Sequence, residues 1–145
     1  MPLTEEDQPM TASQTIGSSA ACRGRLLVVD DDPVVLESIV RMMETRGWSV
    51  EKVSDGAVAA ERVRSHPERF DAIVLDYSMP GVNGIEVIQE LRGCGVQTPV
   101  ILCSGAGTDR GGDFARDAGA DAYIEKPYRL ATLEDAILSV VPRST

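Results

Sequence analysis

Aspartates at the ends of apolar runs are the residues of this 145-residue chain best placed to do chemistry. Asp30, Asp31 and Asp32 follow the run Leu26 to Val29, and Asp76 follows Ala72 to Leu75. Ser104 follows Val100 to Cys103, and Lys126-Pro127 lies just beyond Ala122 to Ile124. Carboxylates brought to one place repel one another and raise their own pKa values unless a cation neutralises them. Ligands that are all oxygen, with no His or Cys beside them, favour Mg²⁺, Mn²⁺ or Ca²⁺ over zinc. Mg²⁺ typically takes one or two carboxylates, with waters and phosphate oxygens filling its other positions. A lysine and a hydroxyl opposite such a metal complete a cradle for a phosphoryl group.

The elements needed to position these residues are visible in the hydrophobic pattern. The runs Leu26 to Val29, Trp48 to Val53, Ala72 to Leu75, Val100 to Cys103 and Ala122 to Ile124 read as five strands, the first, third and fourth buried on both faces. Helical patterns alternate with them. Asp32 can cap a helix starting at Pro33, with Val35, Ile39 and Met43 as its buried stripe and Gly47 as its end. A second helix runs from Gly56 to about Ser65, stopped by His66 and Pro67, and Asn83-Gly84 opens a third that reaches Arg92. The fourth, Thr108 to Ala118, is weakened by Gly111 and Gly112, each costing ~1 kcal/mol relative to Ala. The fifth carries Leu130, Leu133, Ile137 and Val141 on one side and ends at Pro142. Strand-helix alternation predicts a doubly wound parallel α/β sheet with helices on both faces and ligands beyond the carboxyl ends of the strands. Every residue of the opening list stands at that edge.

Composition sets the outer limits. The chain is 43% apolar and 26% charged, which places it with globular chains that fold in water. Residues 1–22 are rich in Thr, Ser, Gln and Ala without a hydrophobic period and read as a flexible extension, leaving 23–145 as one domain. A net charge of −9 opposes direct nucleic-acid binding. No run approaches the ~20 apolar residues of a membrane span, and the acidic start is unlike a signal peptide, so a cytoplasmic location is expected. Cys22, Cys94 and Cys103 form no pairing or metal pattern and read as free thiols. The only histidine, His66, is a surface helix terminator, and the glycine-rich stretch 105–112 lacks the ending of a phosphate loop.

The chain resembles the response-regulator receiver domains of two-component signalling. The resemblance covers Arg25 to about Val141 and rests on LeuLeuValValAspAsp (26 to 31), ValLeuAspTyrSerMetPro (74 to 80), AsnGly (83 and 84), ProValIleLeuCysSer (99 to 104) and TyrIleGluLysPro (123 to 127). It implies a flavodoxin-like sheet of five strands in the order 2-1-3-4-5 with five helices. It also implies that Asp76 accepts a phosphoryl group from the phosphohistidine of a histidine kinase or histidine phosphotransfer protein. By the same resemblance Asp31, Asp76 and the backbone carbonyl of Ser78 would hold Mg²⁺ directly, with Asp30 acting through water. Lys126 would pair with one phosphoryl oxygen and Ser104 would bond to another, while Tyr123 would move inward with Ser104 to switch a face that a downstream protein binds. Lys126-Pro127 is similar to the family's cis peptide. Ser104 stands where threonine is frequent, keeping the hydroxyl and losing a methyl.

The resemblance implies a phosphorylation-controlled binding module and not a turnover enzyme, either a stand-alone regulator or the receiver segment of a hybrid sensor histidine kinase. An aspartyl-phosphate hydrolase is the rival of another class. Such an enzyme places its nucleophile in an Asp-x-Asp motif after the first strand, whereas Asp76 follows the third run and Ser78 stands two residues on.

Overall fold

Successive side chains of a strand point to opposite faces, so an apolar run without polar interruption must be covered on both. The computed structural model, which describes residues 23–105 and 111–141, obeys this rule. Its elements in chain order are β1 (Gly24–Val29), α1 (Pro33–Thr45), β2 (Trp48–Val53), α2 (Gly56–Ser65), β3 (Ala72–Asp76), α3 (Gly84–Gly93), β4 (Val100–Ser104), α4 (Gly111–Ala118), β5 (Ala122–Glu125) and α5 (Leu130–Val140). A single 3-10 turn at Pro67–Arg69, not anticipated from the sequence, links α2 to β3. The strands form one parallel sheet in the order β2-β1-β3-β4-β5, the flavodoxin-like order.

Two core layers lie on the two faces. Leu27, Val29, Ile73, Leu75, Val100 and Leu102 face Ala59, Ala60 and Val63 of α2 and Val87, Ile88 and Leu91 of α3. Their strand neighbours Leu26, Val28, Ala72, Val74, Ile101 and Cys103 face Leu36, Ile39 and Met43 of α1 and Leu133 and Ile137 of α5. Each fully buried Leu or Ile contributes roughly 1.5 to 3 kcal/mol, so these layers supply most of the driving force. The stripe on α1 is rotated from the one anticipated: Leu36 and Val40 are buried with Ile39 and Met43, while Val35 is only half-buried at its rim. Asp32 caps α1 by accepting from the Val34 and Val35 amides, and Gly47 ends the turn after it with φ of 95°.

The strands run up to one residue beyond the anticipated bounds at their carboxyl ends, so Asp76 and Ser104 belong to the ladder itself. Helix α5 ends at Val140, and Val141 is its cap, packed against the second core layer. Pro142, residues 1–22 with Cys22, and the anticipated start of the fourth helix at Thr108 lie outside the described residues. Among the described cysteines Cys94 is exposed, Cys103 is buried, and both are free. No helix among the described residues is long and apolar enough to cross a membrane.

One cross-link at the amino ends of the strands was not anticipated. Arg92 of α3 donates to the carbonyls of Gly119 (3.0 and 2.9 Å), Val96 (2.9 Å) and Thr98 (3.0 Å) and to Asp121 Oδ2 (2.9 Å). The same carboxylate oxygen accepts from the Val100 amide at 2.9 Å, so one guanidinium ties α3, the start of β4 and the turn before β5. Lysine has three donors on one atom and cannot reproduce this fork. Arg92→Ala should therefore cost on the order of 3 kcal/mol in urea unfolding and Arg92→Lys nearly as much, because buried carbonyls lose their partners. A loss under about 0.5 kcal/mol for both would show the fork to be ornamental.

Candidate functional site

Parallel register works as a ruler at the carboxyl edge of the sheet. Val29 of β1 is paired with Leu75 of β3, so the next residues on the two strands, Asp30 and Asp76, emerge side by side. Asp76 is in turn paired with Cys103 of β4, which puts Ser104 one step further along. Ser104 is paired with Glu125 of β5, and its carbonyl accepts from the Lys126 amide at 2.7 Å. Four strands thus bring to one edge residues spread over nearly a hundred positions of sequence, as the 96-residue separation of Asp30 and Lys126 shows.

The side chains converge accordingly. Carboxylate oxygens of Asp30, Asp31 and Asp76 lie within 4.8 Å of one another. Asp30 and Asp76 are 3% and 6% exposed, whereas Asp31 is open to solvent. Lys126 Nζ sits 3.0 Å from Asp76 Oδ1 and 3.2 Å from Asp30 Oδ2, and the Lys126-Pro127 peptide just after β5 is cis. Asp30 also accepts from the Asp32 amide at 2.9 Å, so Asp32 serves the helix cap and its backbone steadies the acid pair. Burial raises the Asp76 carboxyl above its ordinary range; the Lys126 hydrogen bond opposes this, and the charge of Asp30 adds to it. Burial works against charge on Lys126 too, but the bonds and charges of Asp76 and Asp30 outweigh it and hold its pKa above the usual value.

Ser104 is 1% exposed, with its hydroxyl 3.4 Å from the Gly105 carbonyl. Ser78 is exposed on the loop after β3, where its backbone favours the ionised form of Asp76. Tyr123 is paired with Leu102 across β4 and β5 and packs against the first core layer. Taken alone, a tyrosine on such a strand ordinarily keeps its hydroxyl wet. Here the hydroxyl is buried and without a hydrogen-bond partner among the described residues. Beneath the site, burial pushes the Cys103 thiol up to about 12, which suits a core residue and not a nucleophile.

Sequence reasoning marks Gly84 as a helix opener and as half of the AsnGly pair, but it misses what the glycine excludes. A Cβ there would lie 2.7 Å from the Asp76 carbonyl oxygen, 2.8 Å from Leu102 Cδ1 and 2.9 Å from Tyr77 Cα. The bare backbone lets the first turn of α3 press against the strand end that carries Asp76. A capping box between Asn83 and Glu86 and a 2.8 Å bond from the Gly84 amide to the Tyr77 carbonyl hold it there. The AsnGly pair carried the signal, but only the tertiary contact shows what the glycine is for.

The donor set fits a divalent cation: three carboxylates against one ammonium leave two negative charges, all on oxygen. Without a cation, ionisation of Asp76 costs the folded state stability. Between the unfolded pKa of about 3.9 and the raised folded value, the unfolded chain binds fewer protons, so stability falls as pH rises through that window. Metal-free Asp76→Asn should be more stable than the wild type at neutral pH, read as a higher Tm. The gap should close as the pH is lowered to about 4 and when Mg²⁺ is added to the wild type. A gap that ignores both pH and Mg²⁺ would contradict the electrostatic account.

Comparison with known proteins agrees with this edge. The response regulator receiver domain profile matches residues 26–138. The response regulator MprA of Mycobacterium tuberculosis is 41% identical over 109 residues, which cover 75% of this chain and 46% of that protein. The chain thus spans about half the length of the curated relatives it matches. The Francisella response regulator 1452 receiver domain is similar with a TM-score of 0.75 and 27% identity, over 81% of this chain and 96% of that one. The receiver domain of sensor histidine kinase PA1611 from Pseudomonas aeruginosa PAO1, solved with a magnesium ion coordinated in its active-site cleft, is similar with a TM-score of 0.71 and 28% identity, over 81% and 96% of the two chains. With its sheet order, its edge of aspartates and lysine, and a family match over most of its length, the chain belongs to the response regulator receiver domains.

Proposed function

We propose that this chain, through a domain at 23–145 preceded by an extension at 1–22, is the phosphoacceptor of a two-component phosphorelay, and that Asp76 is the acceptor. The observation that carries this reading is the buried Asp76 carboxylate held 3.0 Å from Lys126 within the triad of carboxylates. One ionised Asp76 oxygen attacks the phosphorus of a phosphohistidine on a histidine kinase or histidine phosphotransfer protein. A P–O bond forms as the P–N bond breaks. The electron pair stays on the imidazole, which leaves neutral when its other nitrogen carries a proton. A carboxylate suits this covalent role, since it needs no general base to be ionised.

Mg²⁺ held by Asp31, Asp76 and the Ser78 carbonyl, with Asp30 acting through water, would supply positive charge against the phosphoryl oxygens. The oxygen-only donor set supports that assignment, as does the magnesium-bearing cleft of the PA1611 receiver domain. Lys126 keeps Asp76 ionised before transfer and pairs with a phosphoryl oxygen after it. Ser104 bonds to another, which draws the end of β4 toward Asp76. Tyr123 follows, and the face made by α4, β5 and α5 changes for a downstream protein. A partner that prefers this face prolongs the phosphorylated state by linkage. The module works in the cytoplasm and has no contact of its own with nucleic acid, as its −9 net charge suggests. Identity to MprA regulators favours a regulator over the receiver segment of a hybrid sensor kinase.

Incubation with acetyl phosphate and Mg²⁺ should add the mass of one phosphoryl group, removable by hydroxylamine as an acyl phosphate is. Asp76→Asn should abolish the addition while circular dichroism stays unchanged; phosphate retained by that variant would sink the assignment. A separate expectation follows from the dry hydroxyl of Tyr123. Tyr123→Phe removes an unpartnered buried donor and should stabilise the unphosphorylated protein by about 1 kcal/mol, read from urea unfolding. A loss of stability instead would show that the hydroxyl is bonded in solution.

A further inference from the structure

Gly56 opens α2, away from the carboxylates, and no chemistry has been assigned to it. A Cβ there would lie 2.8 Å from the Val82 carbonyl oxygen, 3.0 Å from Val87 Cγ2 and 3.3 Å from Met79 Cε. Real Cβ atoms essentially never approach another atom closer than 3.0 Å, and the nearest atom here is backbone, so something must shift. Val82 and Met79 belong to the loop at 77–83 that leaves β3 and carries Ser78. We propose that Gly56 is a positioning residue for this loop: its bare backbone lets the first turn of α2 seat Val82 and Met79, which holds Ser78 in register with Asp76. The inference rests on the reading that Asp76 and Ser78 share a metal.

The choice of which side yields follows from how each is anchored. Helix α2 is pinned at its start by Asp55 Oδ1, which accepts from the Ala57 amide at 2.8 Å and the Val58 amide at 3.1 Å. Below that turn Ala59, Ala60 and Val63 are almost completely buried against the sheet. The loop is softer. Ser78, Pro80 and Gly81 are exposed, and a Cβ on Gly81 would meet nothing within 4 Å. The loop is therefore held between two bare backbone positions, Gly56 against the Val82 oxygen and Gly84 against the Asp76 oxygen. A methyl group at Gly56 pushes the loop, not the helix. Alanine is otherwise the better helix former, so any loss comes from the contact and not from propensity.

Mg²⁺ titration calorimetry tests this with wild type, Gly56→Ala, Gly93→Ala and the double variant Asp55→Ala/Gly56→Ala. Gly93 is the control, because a Cβ there would meet nothing within 4 Å. Gly56→Ala should weaken Mg²⁺ binding about 10-fold, as loss of an outer support of a metal site does, while Gly93→Ala binds as the wild type. Freeing the first turn of α2 lets the helix retreat, so the double variant should regain part of the affinity while losing stability. A purely destabilising effect would instead make the double variant bind more weakly than the single one, and that outcome overturns the proposal. Wild-type affinity in Gly56→Ala does the same. In metal-free Gly56→Ala the amide shifts of Ser78, Met79 and Val82 should move, and their constancy refutes the displacement. Should Gly56→Ala fail to fold, Mg²⁺ titration of the wild type should shift the Gly56 and Ala57 amides together with Val82, and unmoved amides count against the coupling. Absence of Mg²⁺ binding in the wild type would remove the metal reading itself, while the metal-free amide shifts still decide the contact.

Discussion

Lys126 stands between two buried carboxylates, and the fold is arranged around that placement. Its ammonium lies 3.0 Å from Asp76 and 3.2 Å from Asp30, and the oxygens of Asp31 are close by. One positive charge cannot balance three negative ones in a partly dry site, so the edge keeps a deficit of positive charge that a divalent cation fits. Several kcal/mol per ion is the typical penalty for removing charge from water, and a site that bears it must be held by something larger. Here that support is the pair of apolar layers on the two faces of the sheet. The central strands β1, β3 and β4 deliver the acids and the hydroxyl because their buried runs cannot slip by one residue without turning their apolar side chains to the wrong face.

The edge strands manage a different constraint. β2 lies at one margin of the sheet, where unpaired backbone groups invite pairing with another chain. Its Glu51 pairs with Arg62 and Arg69, and its Lys52 pairs with Glu37, so charge covers the exposed margin. β5 forms the other margin and carries Tyr123 and, just beyond, Lys126. A short strand at an edge can shift more cheaply than one in the middle, which is consistent with Tyr123, proposed to follow Ser104 on phosphorylation, lying there.

Opposite ends of the sheet are built by different physics. At the amino end the five donors of Arg92 join α3 to the turns around β4 and β5 through backbone carbonyls and Asp121. At the carboxyl end, backbones approach closely at Gly56 and Gly84, where a single methyl group would be felt. Hydrogen bonds act at both ends, and at the carboxyl end close backbone contact adds a constraint where a small displacement would change ligand geometry. The Tyr77 ring packs edge-on against Phe114 of α4, with centroids 6.0 Å apart, so the residue after Asp76 also touches an element of the proposed output face.

The sequence alone was enough for the element order, the sheet class and the polar residues that gather at the carboxyl edge, because each is written in local signals. Uninterrupted apolar runs mark buried strands, Asp32-Pro33 and Asn83-Gly84 mark helix starts, and polar residues directly after strands mark the binding edge. It misjudged the stripe on α1, since Val35 and Leu36 are adjacent apolar residues and only packing decides which one faces the sheet. It was silent on Arg92, whose partners are chiefly carbonyls and carry no residue-type signature. It was equally silent on what Gly56 and Gly84 exclude and on the dry hydroxyl of Tyr123. Those properties depend on distances between segments far apart in the chain. Residue types and their local order determined which groups could do chemistry, and the packing of helices on a parallel sheet decided how closely they meet.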